Sequence, residues 1–511
     1  MTDRIEKAIF EEAEKLVRRH QRYVSGIEDE TERRRRRSGV AVSKELHTPE
    51  YWKVDRGFDP YWVRSNAANI AYAVKKRLAA KSYTPRPAVS YEVPKSDGGK
   101  RTVSVFQVAD NAVSRLVFKA LLGKNLSRLS GRCYAYRTDV TLHDAVIHIA
   151  SEFSAASRLF LAEYDFKQFF DSIAHSHVQR ILDGRQFYLT PVESRIIWAF
   201  LRAPTCAVGQ YDRAITEMRE KGIPQGTSIS LFLANVVAFP LDYRLEQLGV
   251  GFARYADDTL IWSDDYARIC EATHALNQTA QEMGVEVNLQ QSEGVSILAD
   301  AGAAVEFKGK SRVTFVGYSI GRHVIGIKQS AIARIKEHIA YLVYANLIEE
   351  PKRGRVVSDR FAPPVDRDYV VMIYQIRRFL YGDLSESQLR RYVIGHIPQI
   401  HYRGVMSFYP IIDDVSAMKA LDGWLLHTVW TTLRTRARLL GEFAYGELPI
   451  PHGLRKADLL HLYAPIRNGE RLDLRLPSFV RIAKMMRRAS VQYGPNAIAN
   501  PQSGQIGRAH V

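Results

Sequence analysis

Two adjacent aspartates lie at a point in the sequence where like charges are unexpected. Asp257 and Asp258 separate two short apolar runs rich in aromatic and β-branched residues, which predicts a tight hairpin with both carboxylates near its tip. Neighbouring carboxylates repel each other, so the pair by itself is compatible with a solvated turn or with a seat for divalent metal ions.

A third aspartate ends another predicted strand. Asp165 closes the apolar run RLFLAEYD, residues 158–165. If this strand lies beside the hairpin, Asp165 and Asp257 share one end of the sheet, and carboxylates gathered there can hold the pair of divalent cations that catalyses nucleotidyl transfer. Because adjacent side chains in a strand point to opposite faces, the pattern favours Asp257 over Asp258 as a full ligand.

The composition indicates a folded protein with a polyanionic partner. A chain of 511 residues is too long for one compact core, so several subdomains are expected. Its 72 Lys and Arg against 55 Asp and Glu give a formal net charge of +17, which favours nucleic acid over the alternatives of a basic ribosomal or membrane-surface protein. Cys133, Cys206 and Cys270 form no CxxC pair and no apolar run could span a membrane, so a cytoplasmic location is expected.

The elements that must position the aspartates follow an α+β order. A strand pair is predicted within 93–106, where Asp97-Gly98-Gly99 reads as the turn. The other predicted elements include helices at 1–24, 109–125 and 140–153, a helical region at 175–203, an apolar helix at 229–245, a helix at 265–283, strands around 285–298 and 312–327, and mostly helices from 328 onward. The Pro-rich and charged segment 349–368 is the clearest predicted linker.

Two arginine clusters leave a choice between solvation and contact with nucleic acid. Arg33–Arg37 follow an acidic run, and Arg434, Arg436 and Arg438 lie near the end of a predicted bundle helix. Basic runs are usually solvated, so solvation is the favoured interpretation of both clusters, and phosphate contact is the alternative.

In these motifs the sequence resembles the reverse transcriptases, especially those of bacteria. The resemblance covers about residues 80–325 and includes the family's metal-binding YxDD box, its first aspartate motif, its PQG motif and its fingers strand pair. The matching segments occur in the family's order and are VPKSDGGKRTVSVF (93–106), CYAYRTDVTLHDAV (133–146), EYDFKQFFDSI (163–173), GIPQGTSISLFLAN (222–235), YADD (255–258) and VTFVGYSI (313–320).

The resemblance implies roles for particular residues. Asp165, Asp257 and Asp258 would bind two Mg²⁺ ions, with Mn²⁺ as an alternative, and the backbone carbonyl of Phe166 would be an additional ligand. Phe170 occupies the position of the family's steric gate, where a bulky ring excludes a ribose 2′-hydroxyl; a core aromatic is the alternative.

The same resemblance implies contacts to the incoming nucleotide. Gln225 would hydrogen-bond near its sugar, and Gly226 would let the backbone approach it closely. Lys95 and Arg101 on the fingers strands would offset triphosphate or template charge, whereas Lys100 is compatible with a solvated turn.

Other positions are assigned to the scaffold or depart from the family's pattern. Arg137 and His175 are expected to be structural. Many relatives carry a lysine after the YxDD hairpin that can protonate the pyrophosphate, but Gln290 or Gln291 stands there in this chain. Glutamine is not a general acid at neutral pH, so another cation or water would have to replace it.

The implied fold is α+β, a right-hand polymerase of fingers, palm and thumb with an antiparallel palm sheet, extended by helices at both ends. The predicted division is a helical N-terminal extension (1–82), fingers and palm (83–326), a thumb-like helical region (327–400), a helical C-terminal domain (401–504) and a tail (505–511). The tail matches an in-frame translation of a sequencing adapter, which suggests a non-native end.

The implied function is RNA-directed DNA polymerisation from dNTPs, with an RNA template and a DNA product as partners. The flanking helical regions, together with TSISLFLANV in place of the run typical of intron and retron enzymes, resemble stand-alone bacterial reverse transcriptases that defend against phage. Such enzymes use a dedicated non-coding RNA, or synthesise DNA without a template or from a protein primer. The alternatives are an intron- or retron-type enzyme serving a mobile element and a non-catalytic RNA-binding scaffold; association of copies of the chain into a homo-oligomer is left open.

Overall fold

The computed structural model describes residues 3–40, 45–94, 100–156, 158–211, 218–288, 294–300, 302–382, 384–397, 403–441, 443, 447–465 and 471–498. This part of the chain forms two compact units. The first comprises the chain up to Ser25 and Leu46–Ser311, and the second comprises Gly26–Glu45 and the chain from Arg312 onward. The five-part division expected from the sequence stays a prediction.

The first unit mixes helices and short strands. Its helices are α1 (Arg4–Ser38, which continues beyond Ser25), α2 (Pro60–Ser65), α3 (Ala67–Ala79), α4 (Val108–Asn125), α5 (Leu142–Ala155), α6 (Phe169–Ser172), α7 (His175–Asp183), α8 (Pro191–Leu201), α9 (Ser228–Gln247) and α10 (Tyr266–Met283). Its strands are β1 (Ala88–Pro94), β2 (Lys100–Val105), β3 (Leu159–Tyr164), β4 (Phe166–Lys167), β5 (Thr205–Cys206), β6 (Gly251–Tyr255), β7 (Asp258–Ser263), β8 (Glu286–Val287), β9 (Gly294–Leu298) and β10 (Gly309–Lys310).

The main sheet of this unit has the strand order β10-β9-β3-β7-β6. Strand β3 lies between β7 and β9 and runs antiparallel to both. Strands β6 and β7 form an antiparallel hairpin, whereas β10 pairs with β9 in parallel. Smaller sheets join β2, β1 and β5, and also β4 and β8. The predicted α+β architecture is confirmed, with a central sheet that is antiparallel except at its edge strand β10.

Sequence pattern explains the central position of β3 and the burial of α9. Strand β3 is an almost continuous apolar run, which suits a strand buried on both faces. Helix α9 is apolar around most of its circumference, and its side chains enter the same core as those of β3 and β7. Helices α5 and α8 begin with capping boxes, Thr141 with Asp144 and Thr190 with Glu193, so their starts are locally encoded.

The second unit is mostly helical. Strands β11 (Arg312–Phe315), β12 (Tyr318–Gly321) and β13 (Ile325–Ile327) form an antiparallel sheet, and β14 (Tyr463–Pro465) pairs with β15 (Arg471–Asp473). Its further helices are α11 (Gln329–Leu347), α12 (Glu349–Lys352), α13 (Arg367–Tyr381), α14 (Glu386–Val393), α15 (Val415–Leu440), α16 (Phe479–Tyr493) and α17 (Pro495–Ile498). No helix among the described residues is long and apolar enough to cross a membrane.

Two predicted boundaries differ from the structure. The helix expected over 1–24 continues to Ser38, because Glu30 and Glu32 pair with arginines three and four residues further along the helix. The helical region expected at 175–203 is two helices, α7 and α8. Gly184 ends α7, and Pro191 occupies the first turn of α8.

The predicted linker at 349–368 was wrong. Both sides of this segment belong to the second unit, and α12 and the start of α13 lie within it. Asp366 is fully buried and Asp368 is 5% exposed. Both carboxylates bind Arg436, so these two charges form ion pairs inside a core, whereas Lys352, Arg353 and Arg355 are exposed.

Candidate active site

The strand register brings the predicted metal-binding aspartates to one end of the main sheet. Tyr164, the last residue of β3, pairs with Thr259 of β7. Asp165 follows Tyr164 and Asp258 precedes Thr259, so in this antiparallel pair both acids lie at the same strand end. Asp257 lies in the two-residue turn between Tyr255 and Asp258, which pair with each other.

Burial differs among the three acids, and Asp165 has a partner in Asn288. Asp165 and Asp257 are partly buried, whereas Asp258 is exposed. The Asn288 side chain donates to the Asp165 carboxylate at 3.3 Å, and the Asn288 backbone N–H donates to the Asp165 carbonyl at 2.9 Å. Asn288, which the sequence did not single out, therefore orients Asp165 from the segment that follows β8.

A buried ion pair lies directly beneath the aspartate hairpin. Arg254 of β6 is 0% exposed, and its Nε and Nη2 donate to the two carboxylate oxygens of Asp242 at 2.6 Å each. Arg254 Nη1 donates to the carbonyl of Ala256 in the hairpin turn at 3.0 Å. Sequence reasoning missed both residues. The sequence did offer one signal for them: Arg254 lies within the apolar strand β6 and Asp242 within the apolar helix α9, where unpaired charges are unexpected.

The same network continues into the segment that precedes α5. Arg254 Nη2 donates to Cys133 Sγ at 3.1 Å, and the Cys133 thiol donates to Asn235 Oδ1 at 3.2 Å. The Asn235 amide in turn donates to the carbonyl of Ala135 at 2.7 Å. Burial raises the pKa of the Cys133 thiol to about 11, so it remains a neutral donor.

The candidate nucleotide contacts Phe170, Gln225 and Gly226 lie in two segments joined by backbone hydrogen bonds. The Ile223 N–H donates to the carbonyl of Phe170 at 2.6 Å. The Phe170 ring is partly buried and packs edge-to-face on Phe169, which the steric-gate and core interpretations both allow. Gln225 donates to the carboxylate of Asp171 at 3.4 Å.

Gly226 occupies a position that requires glycine. Its φ is +129°, and a Cβ there would lie 2.3 Å from the carbonyl oxygen of Ser104. The neighbouring Gln225 carbonyl accepts from the Ser104 N–H at 2.7 Å, so this loop is fastened to strand β2. Gly226 therefore approaches strand β2 closely, and the approach to the incoming nucleotide that the resemblance implies stays a prediction.

The predicted strand pair of the fingers is confirmed. Of its two predicted cations, Arg101 lies within the described part of the chain. Strands β1 and β2 pair antiparallel, with Arg101 opposite Val93. Arg101 is exposed. Lys100 pairs with Glu92 at 2.6 Å, which agrees with the alternative of a solvated surface residue. Lys95, Gln290 and Gln291 lie outside the described residues.

The residues assigned to the scaffold make structural contacts, as predicted. The His175 ring bonds the carbonyl of Gly222 at 2.9 Å, and burial lowers its pKa. Arg137 Nη1 donates to the carbonyls of Ser130 and Cys133.

The donor set suits magnesium by chemical type. Asp165, Asp257, Asp258 and the carbonyl of Phe166 offer only hard oxygen ligands, which Mg²⁺ and Mn²⁺ prefer. Within the described residues, no three or more histidine, cysteine, aspartate or glutamate side chains are gathered closely enough to hold a metal ion. The backbone thus places the acids at one strand end, although among the described residues their side chains are not close enough together to form a complete metal site.

Comparison with known families gives a match that includes most of the first unit and the start of the second. Residues 93–320 match the sequence model of the family described as reverse transcriptase (RNA-dependent DNA polymerase). The chain therefore contains a reverse transcriptase domain. The predicted right-hand polymerase fold is confirmed at this level, and the β10-β9-β3-β7-β6 sheet lies within the matched residues.

Relatives of known sequence agree with an intron- and retron-like lineage. Protein YkfC of Escherichia coli (strain K12) is 26% identical over 235 residues, which are 44% of this chain and 57% of that protein. The COX1/OXI3 intron 1 protein of Saccharomyces cerevisiae is 26% identical over 188 residues, 35% of this chain and 21% of that protein. This chain thus spans 57% and 21% of the length of these relatives.

Among solved structures, an apo telomerase from Candida tropicalis, truncated from its C-terminal domain, is similar over part of the chain. The match covers 51% of this chain and 60% of that chain at 12% identity, with a TM-score of 0.37. A likeness of this size does not by itself define a fold.

Proposed function

We propose that this protein is an RNA-directed DNA polymerase that joins deoxynucleotides by two-metal nucleotidyl transfer. The observation that carries the proposal is the register of β3 against β7, which brings Asp165 and the Asp257–Asp258 hairpin to one strand end within a reverse transcriptase domain. The non-catalytic scaffold is disfavoured, because it would have no use for carboxylates collected at this edge.

In this proposal the chain's own residues hold and orient the reactants. Asp165, Asp257, the Phe166 carbonyl and, at the margin, Asp258 would hold two Mg²⁺ ions, or Mn²⁺ ions. When bound, such ions supply activation of the primer hydroxyl and neutralisation of charge on the pyrophosphate. The acids must be ionised for this role, and the Asn288 amide fixes the rotamer of Asp165.

The remaining candidate residues would select and position the nucleotide. Phe170 would exclude ribonucleotides, and Gln225 and Gly226 would contact the sugar from the loop fastened to β2. Lys95 and Arg101 would offset triphosphate or template charge. The partners are therefore dNTPs, an RNA template and a DNA product, in agreement with a net charge of +17.

We further propose a cytoplasmic role in defence against phage, with an associated non-coding RNA or with untemplated or protein-primed synthesis. The support is the resemblance of the PQG helix and of the helical regions outside 93–320 to stand-alone defence enzymes. Similarity to the COX1/OXI3 intron 1 protein favours a second candidate, an intron- or retron-type enzyme serving a mobile element. Sequencing the RNA and DNA that co-purify with the protein separates the two, because a mobile-element enzyme would carry intron or retron RNA.

The polymerase proposal is tested by Asp257→Ala. We expect Mg²⁺-dependent incorporation of dTTP on poly(rA) primed with oligo(dT) to fall by more than about 100-fold, because the variant lacks a metal-binding carboxylate. Asp264→Ala is the matched control, since Asp264 is exposed and follows the opposite end of β7. Synthesis by Asp257→Ala at the wild-type rate would refute the site.

A further inference from the structure

The buried pair of Arg254 and Asp242 is unusual in how completely it is removed from solvent. Arg254 is 0% exposed and Asp242 is 1% exposed, and the two carboxylate oxygens each accept one hydrogen bond. The cost of removing two charges from water offsets most of their attraction, so a pair of this kind adds little stability compared with apolar residues. Its distinctive property is geometry: a planar guanidinium held by a bidentate carboxylate points its remaining N–H groups in set directions.

One of those directions leads to the turn that carries the aspartates. Arg254 Nη1 donates to the carbonyl of Ala256 at 3.0 Å. Ala256 has a φ of +60°, a left-handed conformation that is unfavourable for a residue with a Cβ atom. Ala256 immediately precedes Asp257, so the hydrogen bond to its carbonyl restrains the peptide plane from which Asp257 projects.

Electrostatics couple the same arginine to Asp257. Burial lowers the pKa of Arg254, but the carboxylate of Asp242 and, more weakly, that of Asp257 raise it by a larger amount. Arg254 therefore stays charged, and its positive charge attracts the carboxylate of Asp257.

The opposite side of the arginine is also anchored. Arg254 Nη2 contacts Cys133 Sγ, and backbone hydrogen bonds join Arg254 to Arg132 at 3.0 Å and to Tyr134 at 2.9 Å. Strand β6 is thus fastened on its outer edge by residues 132–134, and on its helix side by Asp242. The guanidinium has no freedom to rotate away from Ala256 while these contacts hold.

We infer that Arg254, held by Asp242, is a positioning residue for the polymerase reaction: it holds the left-handed turn at Ala256 and thereby sets where Asp257 stands relative to Asp165. This role rests on the proposed function. It requires no contact between Arg254 and substrate.

The test combines Arg254→Lys with a rescue by Ala256→Gly. Lysine retains the charge but not the bidentate and turn contacts, so we expect kcat for dTTP incorporation to fall about 10–100-fold while KM for dTTP changes less than about threefold. Mn²⁺ binding, measured by electron paramagnetic resonance without nucleotide, should weaken about tenfold or more. Glycine adopts positive φ without strain, so adding Ala256→Gly should restore kcat at least about threefold.

A matched control separates positioning from general stability. Arg436→Lys alters an arginine that is equally buried in the second unit, and it should leave kcat per folded molecule within about twofold of wild type. Asp242→Asn, which preserves side-chain shape, should reproduce the kcat loss of Arg254→Lys. Wild-type kcat and Mn²⁺ binding in both Arg254→Lys and Asp242→Asn would overturn the inference alone, whereas an inactive wild-type protein would overturn the proposed function with it.

Discussion

Arg254 in the first unit and Arg436 in the second are buried to the same degree, but they are bonded to different kinds of structure. Arg254 has one carboxylate partner, Asp242, and donates another N–H to the carbonyl of Ala256 in the hairpin turn. Arg436 bridges two carboxylates, Asp366 and Asp368, at 2.7–3.1 Å. Burial of an arginine is therefore not by itself a sign of function. The partner groups show whether it orients a site or joins helices.

The cluster around Arg436 joins elements of the helical unit. Arg436 Nη1 donates to the Leu347 carbonyl at the end of α11, and Asp366 and Asp368 lie at the start of α13. His452 adds a hydrogen bond to Asp366 at 3.0 Å. Burial opposes ionisation of Asp366, but Arg436 and His452 outweigh it and lower its pKa to about 2. None of these groups lies near a predicted catalytic residue in the chain sequence.

The largest effect expected is on stability, from replacing either arginine by methionine. Arg436→Met would leave Asp366 and Asp368 buried without their main cation, which should reduce the free energy of unfolding by about 3–5 kcal/mol. Arg254→Met should reduce the free energy of unfolding by a similar amount, because Asp242 would remain buried without its cation. The two differ in activity: per folded molecule, only Arg254→Met should lose kcat. Urea unfolding and active-site-normalised kinetics check this, and equal loss of kcat in both variants would remove the distinction.

A smaller effect is expected from acid in the second unit. Since the folded-state pKa of Asp366 lies below its ordinary value of 3.8, its contribution to stability is present above about pH 4 and is lost as pH falls through about 2. The loss amounts to about 2 kcal/mol. Hydrogen exchange of α15 amides, corrected for intrinsic rates, measures it. Asp366→Asn is the control, and an undiminished pH dependence in that variant would assign the effect to other groups.

The smallest effect is expected for an exposed arginine on α1. Arg35 is paired with Glu32 at 2.7 Å, but its side chain is 58% exposed, so solvent screens the pair. Arg35→Ala should leave the melting temperature unchanged and should not alter the slope of RNA affinity against salt. A slope reduced by about one would show instead that this arginine neutralises a phosphate.

Local patterns in the sequence were sufficient for the central strands of the first unit. An apolar run predicted β3, because a strand buried between neighbours must be apolar along its length, and flanks rich in aromatic and β-branched residues predicted the β6–β7 hairpin. The fingers strand pair was predicted from two β-prone runs around a turn sequence. In contrast, the segment 349–368 has the composition of a linker, but its buried carboxylates Asp366 and Asp368 both bind Arg436, which lies far along the chain.

The sequence by itself predicted β3, the β6–β7 hairpin and most of the helices, because hydrophobic period and turn residues act over a few neighbouring positions. The choice of Asp165, Asp257 and Asp258 as metal-binding acids followed from the family resemblance and stays a prediction. Only the tertiary structure decided that β3 lies between β7 and β9, that Arg254 and Asp242 meet beneath the hairpin, and that Asn288 holds Asp165. A buried charge can be paired by any opposite group that the folded chain brings to it, so its partner is set by packing and not by its neighbours in sequence.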